Sequence, residues 1–186
     1  MKIILASGSP RRRELLQQMG LNFEVDANTS FAEIVPDGAD PFEVPSIFAK
    51  GKAEGFHRPL EKDEVLVSAD TIVICDGKIL GKPHTPQVAR QMLKDLSGKT
   101  HYVVSAVCVR TADKCLLERD TAKVCFKTLT DKEIDYYIEH CSPLDKAGAY
   151  GIQEWIGLVG ITHIEGSFYT IMGLPTHLLY SLLERI

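Results

Sequence analysis

The chain has 186 residues, 45% hydrophobic and 25% charged, which is enough apolar material for a folded core and argues against disorder. Lys and Arg number 21 against 25 Asp and Glu, a formal charge of −4 that sets non-specific nucleic-acid binding aside. No stretch approaches the length of a membrane span, and the short N-terminal apolar run meets Ser7-Gly8-Ser9-Pro10 and arginines at once, unlike a signal peptide. The expected setting is therefore cytoplasmic. Five scattered cysteines with no CxxC pair read as buried thiols inside apolar strands rather than as a zinc site.

In chain order, KIILA (2–6) predicts a strand. Ser9 is placed to N-cap a helix with Pro10 at its first position, and Gly20 to end it. LNFEV (21–25) predicts a second strand, and 28–41, with Pro36, Asp37, Gly38 and Pro41, a long loop of the kind that usually carries function. A helix is expected over 42–57, then a strong strand over 65–74 and a hairpin turn at Asp76-Gly77 before KILG. Thr85-Pro86 opens a helix closed by Gly98. The stretches 101–110 and 116–128 pair as a hairpin across Thr111-Ala112-Asp113. Thr130 with Glu133 forms a capping box for a helix at 131–139. Residues 142–175, rich in glycine, read as loops and short strands, and Thr176 begins a C-terminal helix. With no repeat or linker, the whole chain, 1–186, reads as a single domain. It is α/β with a mixed central β-sheet flanked by helices, because hairpins and crossovers both occur.

Three features carry chemistry. A strand, then Ser-Gly-Ser, then a helix start holds an anion, because backbone N–H groups point outward there. Arg11, Arg12 and Arg13 oppose the helix dipole at that end, a repulsion that a polyphosphate would relieve. The GxxxxGK[ST] spacing of a Walker A loop is absent. Asp70 interrupts an apolar strand and so needs a cation, a metal or a role as a base; Ser68 shares its face and Thr71 points the other way. Lys50, Lys52 and Lys82 are candidate phosphate cations, Glu33 in the long loop a candidate second metal ligand beside Asp70. Trp155, Tyr150, Phe168 and Tyr169 stack a base or form small satellite cores.

SGSPRR, SADT, GKPHT and DKAGAYGIQ occur in that order, with GSFYTIMGLP near the end. Together they resemble the Maf family of nucleoside triphosphate pyrophosphatases from Ile3 to Pro175. The resemblance implies an inosine-triphosphatase-like (Maf/Ham1) fold with a cleft between two lobes. It also implies hydrolysis between the α and β phosphates, with a divalent metal, Mg²⁺ or Mn²⁺. On this resemblance Asp70 is the catalytic proton acceptor and, with Glu33, a metal ligand. Ser7, Arg12, Arg13, Lys52 and Lys82 handle the phosphates. Arg12, Thr71 and Gln153 match the specificity residues of the dTTP/UTP pyrophosphatase branch rather than of the branch acting on 7-methyl-GTP. An amide at 153 can both donate to and accept from a uracil or thymine edge. Glu154-Trp155 follows, where the branch commonly has glycine. The resemblance further implies a homodimer, house-cleaning of modified nucleotides as one possible role, and an association with septum formation. The rival readings are a non-catalytic nucleotide-binding regulator of septum formation and cell division, and an enzyme of the same family with 7-methyl-GTP specificity.

Overall fold

The computed structural model describes residues 1–186, which form seven strands, seven α-helices and three short 3-10 turns. The strands are β1 (Lys2–Leu5), β2 (Phe23–Val25), β3 (Glu64–Cys75), β4 (Lys78–Leu80), β5 (Thr100–Arg110), β6 (Cys115–Phe126) and β7 (Ile161–Glu165). They make one mixed sheet in the order β2-β1-β3-β5-β6-β7, with β4 paired to β3. β1 runs parallel to β2 and β3, whereas β3–β4 and β6–β7 are antiparallel. The helices are α1 (Pro10–Gln18), α2 (Val44–Glu54), α3 (Pro86–Leu96), α4 (Asp131–His140), α5 (Trp155–Gly160), α6 (Phe168–Met172) and α7 (Thr176–Leu183).

The chain divides into two compact units. The first comprises Met1–Thr71, Ser105–Asp120 and Gly173–Ile186. β3 earns its place in it as an almost wholly buried run in which Val65, Leu66, Val67, Ser68 and Ala69 are all at most 3% exposed. Leu5 pairs with Val67, so continuing the register sets Ser7 level with Ala69, one residue before Asp70. α1 begins as expected, with Ser9 accepting from the Arg12 N–H and Pro10 in the first turn.

α2 starts later and ends earlier than its sequence pattern implies. Asp40 caps a 3-10 turn over Pro41–Glu43, and α2 then runs only to Glu54 before Gly55. On its buried face, which includes Phe48, the residues Ala49 and Ala53 pack in a cluster with Ile4, Phe56, Leu66 and Cys108. The loop over 28–41 is strapped to this helix. Thr29 bridges Phe56, the Ser30 N–H donates to Gly55 O at 2.8 Å, and the Phe31 ring lies where a Cβ on Gly51 would go. Glycine is therefore required at 51 for the loop to lie down.

The second unit comprises Ile72–Val104 and Thr121–Met172. Thr85 caps α3, and Thr130 and Glu133 form the full capping box of α4. The hairpin turn at Asp76-Gly77 has both residues at positive φ, as a tight turn between β3 and β4 demands. The glycine-rich stretch departs from expectation. Besides β7 it forms α5 and α6, whose Ile156, Ile171 and Met172 are buried, so packing overrides the local glycine content. The cysteines are not uniformly buried either: Cys75 and Cys108 are, Cys115 at the start of β6 is exposed, and Cys125 and Cys141 are half-buried.

His101 on β5 is fully buried, with Nε2 2.7 Å from Tyr150 Oη, its ring stacked on Phe126 and Nδ1 without a partner. Burial pushes its pKa down from 6.5 to about 4. Below pH 6.5 the unfolded chain therefore binds a proton that the folded one refuses until about pH 4, and stability falls through that window. The expected loss between pH 7 and 5 is about 2 kcal/mol. Denaturant unfolding at the two pH values measures it. His101→Phe should flatten the difference, and an unchanged difference in that variant would remove His101 as its source.

Candidate active site

The first unit gathers Ser7, Arg12, Glu33, Lys52, Asp70 and Thr71. Asp70 on β3 is 7% exposed. Its Oδ1 accepts from Lys52 Nζ at 2.6 Å, and the same ammonium lies 2.7 Å from Glu33 Oε1. α2 supplies Lys52 and the strapped loop supplies Glu33, so the loop's attachment to α2 is what brings the second carboxylate in. The Ser68 hydroxyl, on Asp70's face of β3, donates to Ala49 O of α2 at 2.6 Å and pins strand to helix one turn from Lys52.

Arg12 answers the question of the arginine cluster. Successive residues on a helix are about 100° apart, so only one of three neighbours can aim at the same point. The Arg12 guanidinium is the one directed at Ser7 and Thr71. Nη1 donates to Ser7 Oγ at 3.2 Å, Nη2 to Thr71 Oγ1 at 3.3 Å and Nε to the Gly173 carbonyl at 2.8 Å. Thr71, on the face of β3 opposite Asp70, also lies 2.7 Å from Ser105 Oγ and donates to Gly173 O at 3.2 Å. Arg13 is exposed and lines a surface hollow with Gln17, Leu21, Asn22, Phe23 and Val25, away from this group.

The electrostatics are strained by burial. Burial pushes the Asp70 pKa up, with Lys52 and Arg12 pulling it back and Glu33 adding to the rise. Burial also lowers that of Arg12, against the pull of Asp70. Lys52 and Arg12 face Asp70 and Glu33, and Arg11 lies within electrostatic reach of Arg12. No cluster of three or more His, Cys, Asp or Glu exists to cage a metal. The donor set nonetheless suits Mg²⁺ or Mn²⁺: these hard cations take oxygen ligands, and Mg²⁺ is usually held by one or two carboxylates, completed by phosphate oxygens and water. Asp70 and Glu33 supply that number.

The second unit carries the other expected residues. Lys82 is exposed in the segment between β4 and α3, two residues before His84, which sits at φ 57°. Gln153 is exposed on a turn braced from behind: Gly151 N–H donates to Tyr137 Oη, Tyr137 Oη donates to the Glu154 carboxylate, and buried Lys146 lies 3.0 Å from Glu154 Oε1. Of the four aromatics, Tyr150 packs on His101 and Phe126, and Trp155 lies against Tyr136. Tyr150 is buried and serves a small core, whereas Trp155 is half-buried against the exposed Tyr136 ring. Phe168 and Tyr169 stay about two-fifths exposed and meet edge to face. Ser105 and the Gly173 carbonyl also belong to the Arg12 group, although no candidate role at either follows from the sequence pattern. The available signal for Ser105 is that it interrupts an apolar strand, just as Asp70 does.

The sequence model of the family described as Maf-like protein matches residues 2–186. A dTTP/UTP pyrophosphatase of Phocaeicola vulgatus is 46% identical over 185 residues, covering 100% of this chain and 96% of the relative. One of Porphyromonas gingivalis is 48% identical over 185 residues, covering 98% and 93%. Among solved structures, the Ham1 protein of Staphylococcus aureus aligns with a TM-score of 0.54 at 14% identity, covering 99% of this chain and 98% of that one, a likeness of fold. With its family match running nearly end to end, the chain belongs to the Maf-like protein family.

Proposed function

We propose that this chain is a nucleoside triphosphate pyrophosphatase acting on dTTP and UTP, releasing the monophosphate and pyrophosphate. The observation that carries the reading is the buried Asp70 carboxylate held by Lys52, with Arg12 and Ser7 gathered in the same unit. The names of the full-length relatives support the substrate class, and the family match over 2–186 supports reading the chain as one functional domain.

In this mechanism a water attacks the α-phosphorus and gives its proton to Asp70, while the bond from that phosphorus to the bridging oxygen breaks and pyrophosphate leaves. The attack needs Asp70 ionised; Lys52 and Arg12 favour that form against the cost of burial. Arg12 and Lys52 neutralise charge on the phosphates as it shifts toward the leaving group. Ser7, with the turn that follows it, offers donors to a phosphate ahead of α1. Lys82 is proposed to act on the phosphates as a point charge, whereas Arg13, which lines a separate surface hollow, is given no part in the step. A divalent cation held by Asp70 and Glu33 would supply charge neutralisation on the phosphate oxygens. The same reading carries a cytoplasmic setting and a homodimer; light scattering on the purified protein reads the latter.

The test is pyrophosphate release from a panel of normal and modified triphosphates. Pyrimidine triphosphates with a keto group at C4 should lead, and a panel with no turnover would overturn the reading. Arg12, Thr71 and Gln153 are proposed to set base preference. Gln153→Glu replaces a group that donates and accepts with one that only accepts. It should lower kcat/KM for dTTP and UTP by about tenfold or more. Unchanged values across the panel would take Gln153 out of base recognition.

A further inference from the structure

The GSFYTIMGLP stretch has no role in the mechanism above, yet its Gly173 carbonyl is the most used acceptor around Arg12. It takes the Arg12 Nε–H at 2.8 Å and the Thr71 hydroxyl at 3.2 Å. Gly173 is at φ +115°, a backbone pose that side-chain-bearing residues rarely adopt, so the carbonyl direction depends on glycine there. Thr71 has one hydroxyl proton and two lone pairs. When the proton goes to Gly173 O, the lone pairs take Arg12 Nη2–H and the hydroxyl of Ser105, 2.7 Å away and fully buried. Every hydrogen-bonding position of Thr71 is then filled. Arg12 spends three of its five N–H donors on Gly173, Ser7 and Thr71, leaving two with a fixed direction.

We propose that Ser105 and the Gly173 carbonyl are positioning residues that fix the Arg12–Thr71 pair, and so the aim of the two remaining guanidinium donors at the nucleotide. Neither touches substrate; both act through Thr71 and Arg12. A planar fork is selective only when its plane is held, and these two groups hold it from behind, across sequence separations of 34 and 161 residues. The inference rests on the pyrophosphatase reading for the identity of the ligand, not for the hydrogen-bond arrangement.

The experiment is a double-mutant cycle between Ser105→Ala and Thr71→Val, read as Kd for the non-hydrolysable analogue α,β-imido-UTP and as KM and kcat for UTP. Ser105→Ala should raise Kd and KM about tenfold, the size of one hydrogen bond to a well-placed partner, with kcat within about threefold. In the Thr71→Val background the same change should add less than about twofold, because its route of action is gone. Ser105→Thr, which keeps the hydroxyl, should recover most of the affinity. Unchanged Kd in Ser105→Ala, or losses that simply multiply in the double variant, would overturn the proposal. A wild-type protein that binds the analogue but does not hydrolyse UTP would instead overturn the pyrophosphatase reading and leave the Kd cycle to judge the positioning claim.

Discussion

Asp70→Asn is expected to lower kcat by about 10²–10⁴-fold, the usual worth of a general base, while Kd for a non-hydrolysable triphosphate changes little. Asparagine is nearly the same size and keeps an oxygen for Lys52, whose ammonium remains beside Glu33 at 2.7 Å. The phosphate-facing cations therefore stay in place. The lost element is a group able to take a proton. The variant should also be no less stable than the wild type, because a carboxylate whose pKa burial pushes up is itself costly to keep charged. Steady-state pyrophosphate release, calorimetric binding and a denaturation curve separate the three quantities. Near-normal turnover would place the base elsewhere.

Lys52→Met should cost both activity and stability. Lys52 is the one cation in direct contact with both carboxylates, and its side chain is 13% exposed against 10% for Asp70. Removing it leaves the buried Asp70 carboxylate without its hydrogen-bonded cation and beside Glu33, the situation in which breaking a buried pair costs about 3 kcal/mol. Activity should fall by about 10²–10³-fold in kcat/KM, the order seen when one preorganised charge stabiliser is removed. The double variant Lys52→Met/Asp70→Asn discriminates the two effects: it should regain most of the stability, because the uncompensated charge is gone, and none of the activity. A Lys52→Met variant as stable as wild type would mean that the ion pair is screened by solvent and worth little.

Much of the framework was legible because its signals are local. The strand before Ser7, the Ser9 cap with Pro10, the Asp76-Gly77 turn and the Thr130–Glu133 capping box each sit within a few residues of the structure they specify. Asp70 was legible because a lone carboxylate in an apolar strand needs a partner wherever the fold puts it. What was not legible depends on distant chain. The start of α2 is set by a 3-10 turn that Asp40 caps, and α5 and α6 form because Ile156, Ile171 and Met172 find burial, not because glycines favour helices. Which arginine of three turns inward depends on a Thr and a Gly carbonyl 59 and 161 residues away. Gly173 carried no sign of its role, since a backbone acceptor has no side-chain signature.

The most direct measurement of the central claim, that water attacks the α-phosphorus and pyrophosphate leaves, is hydrolysis of UTP in water enriched in heavy oxygen, with both products weighed by mass spectrometry. The account predicts one labelled oxygen in the monophosphate and none in the pyrophosphate. Label in the pyrophosphate, or release of orthophosphate instead, would contradict it.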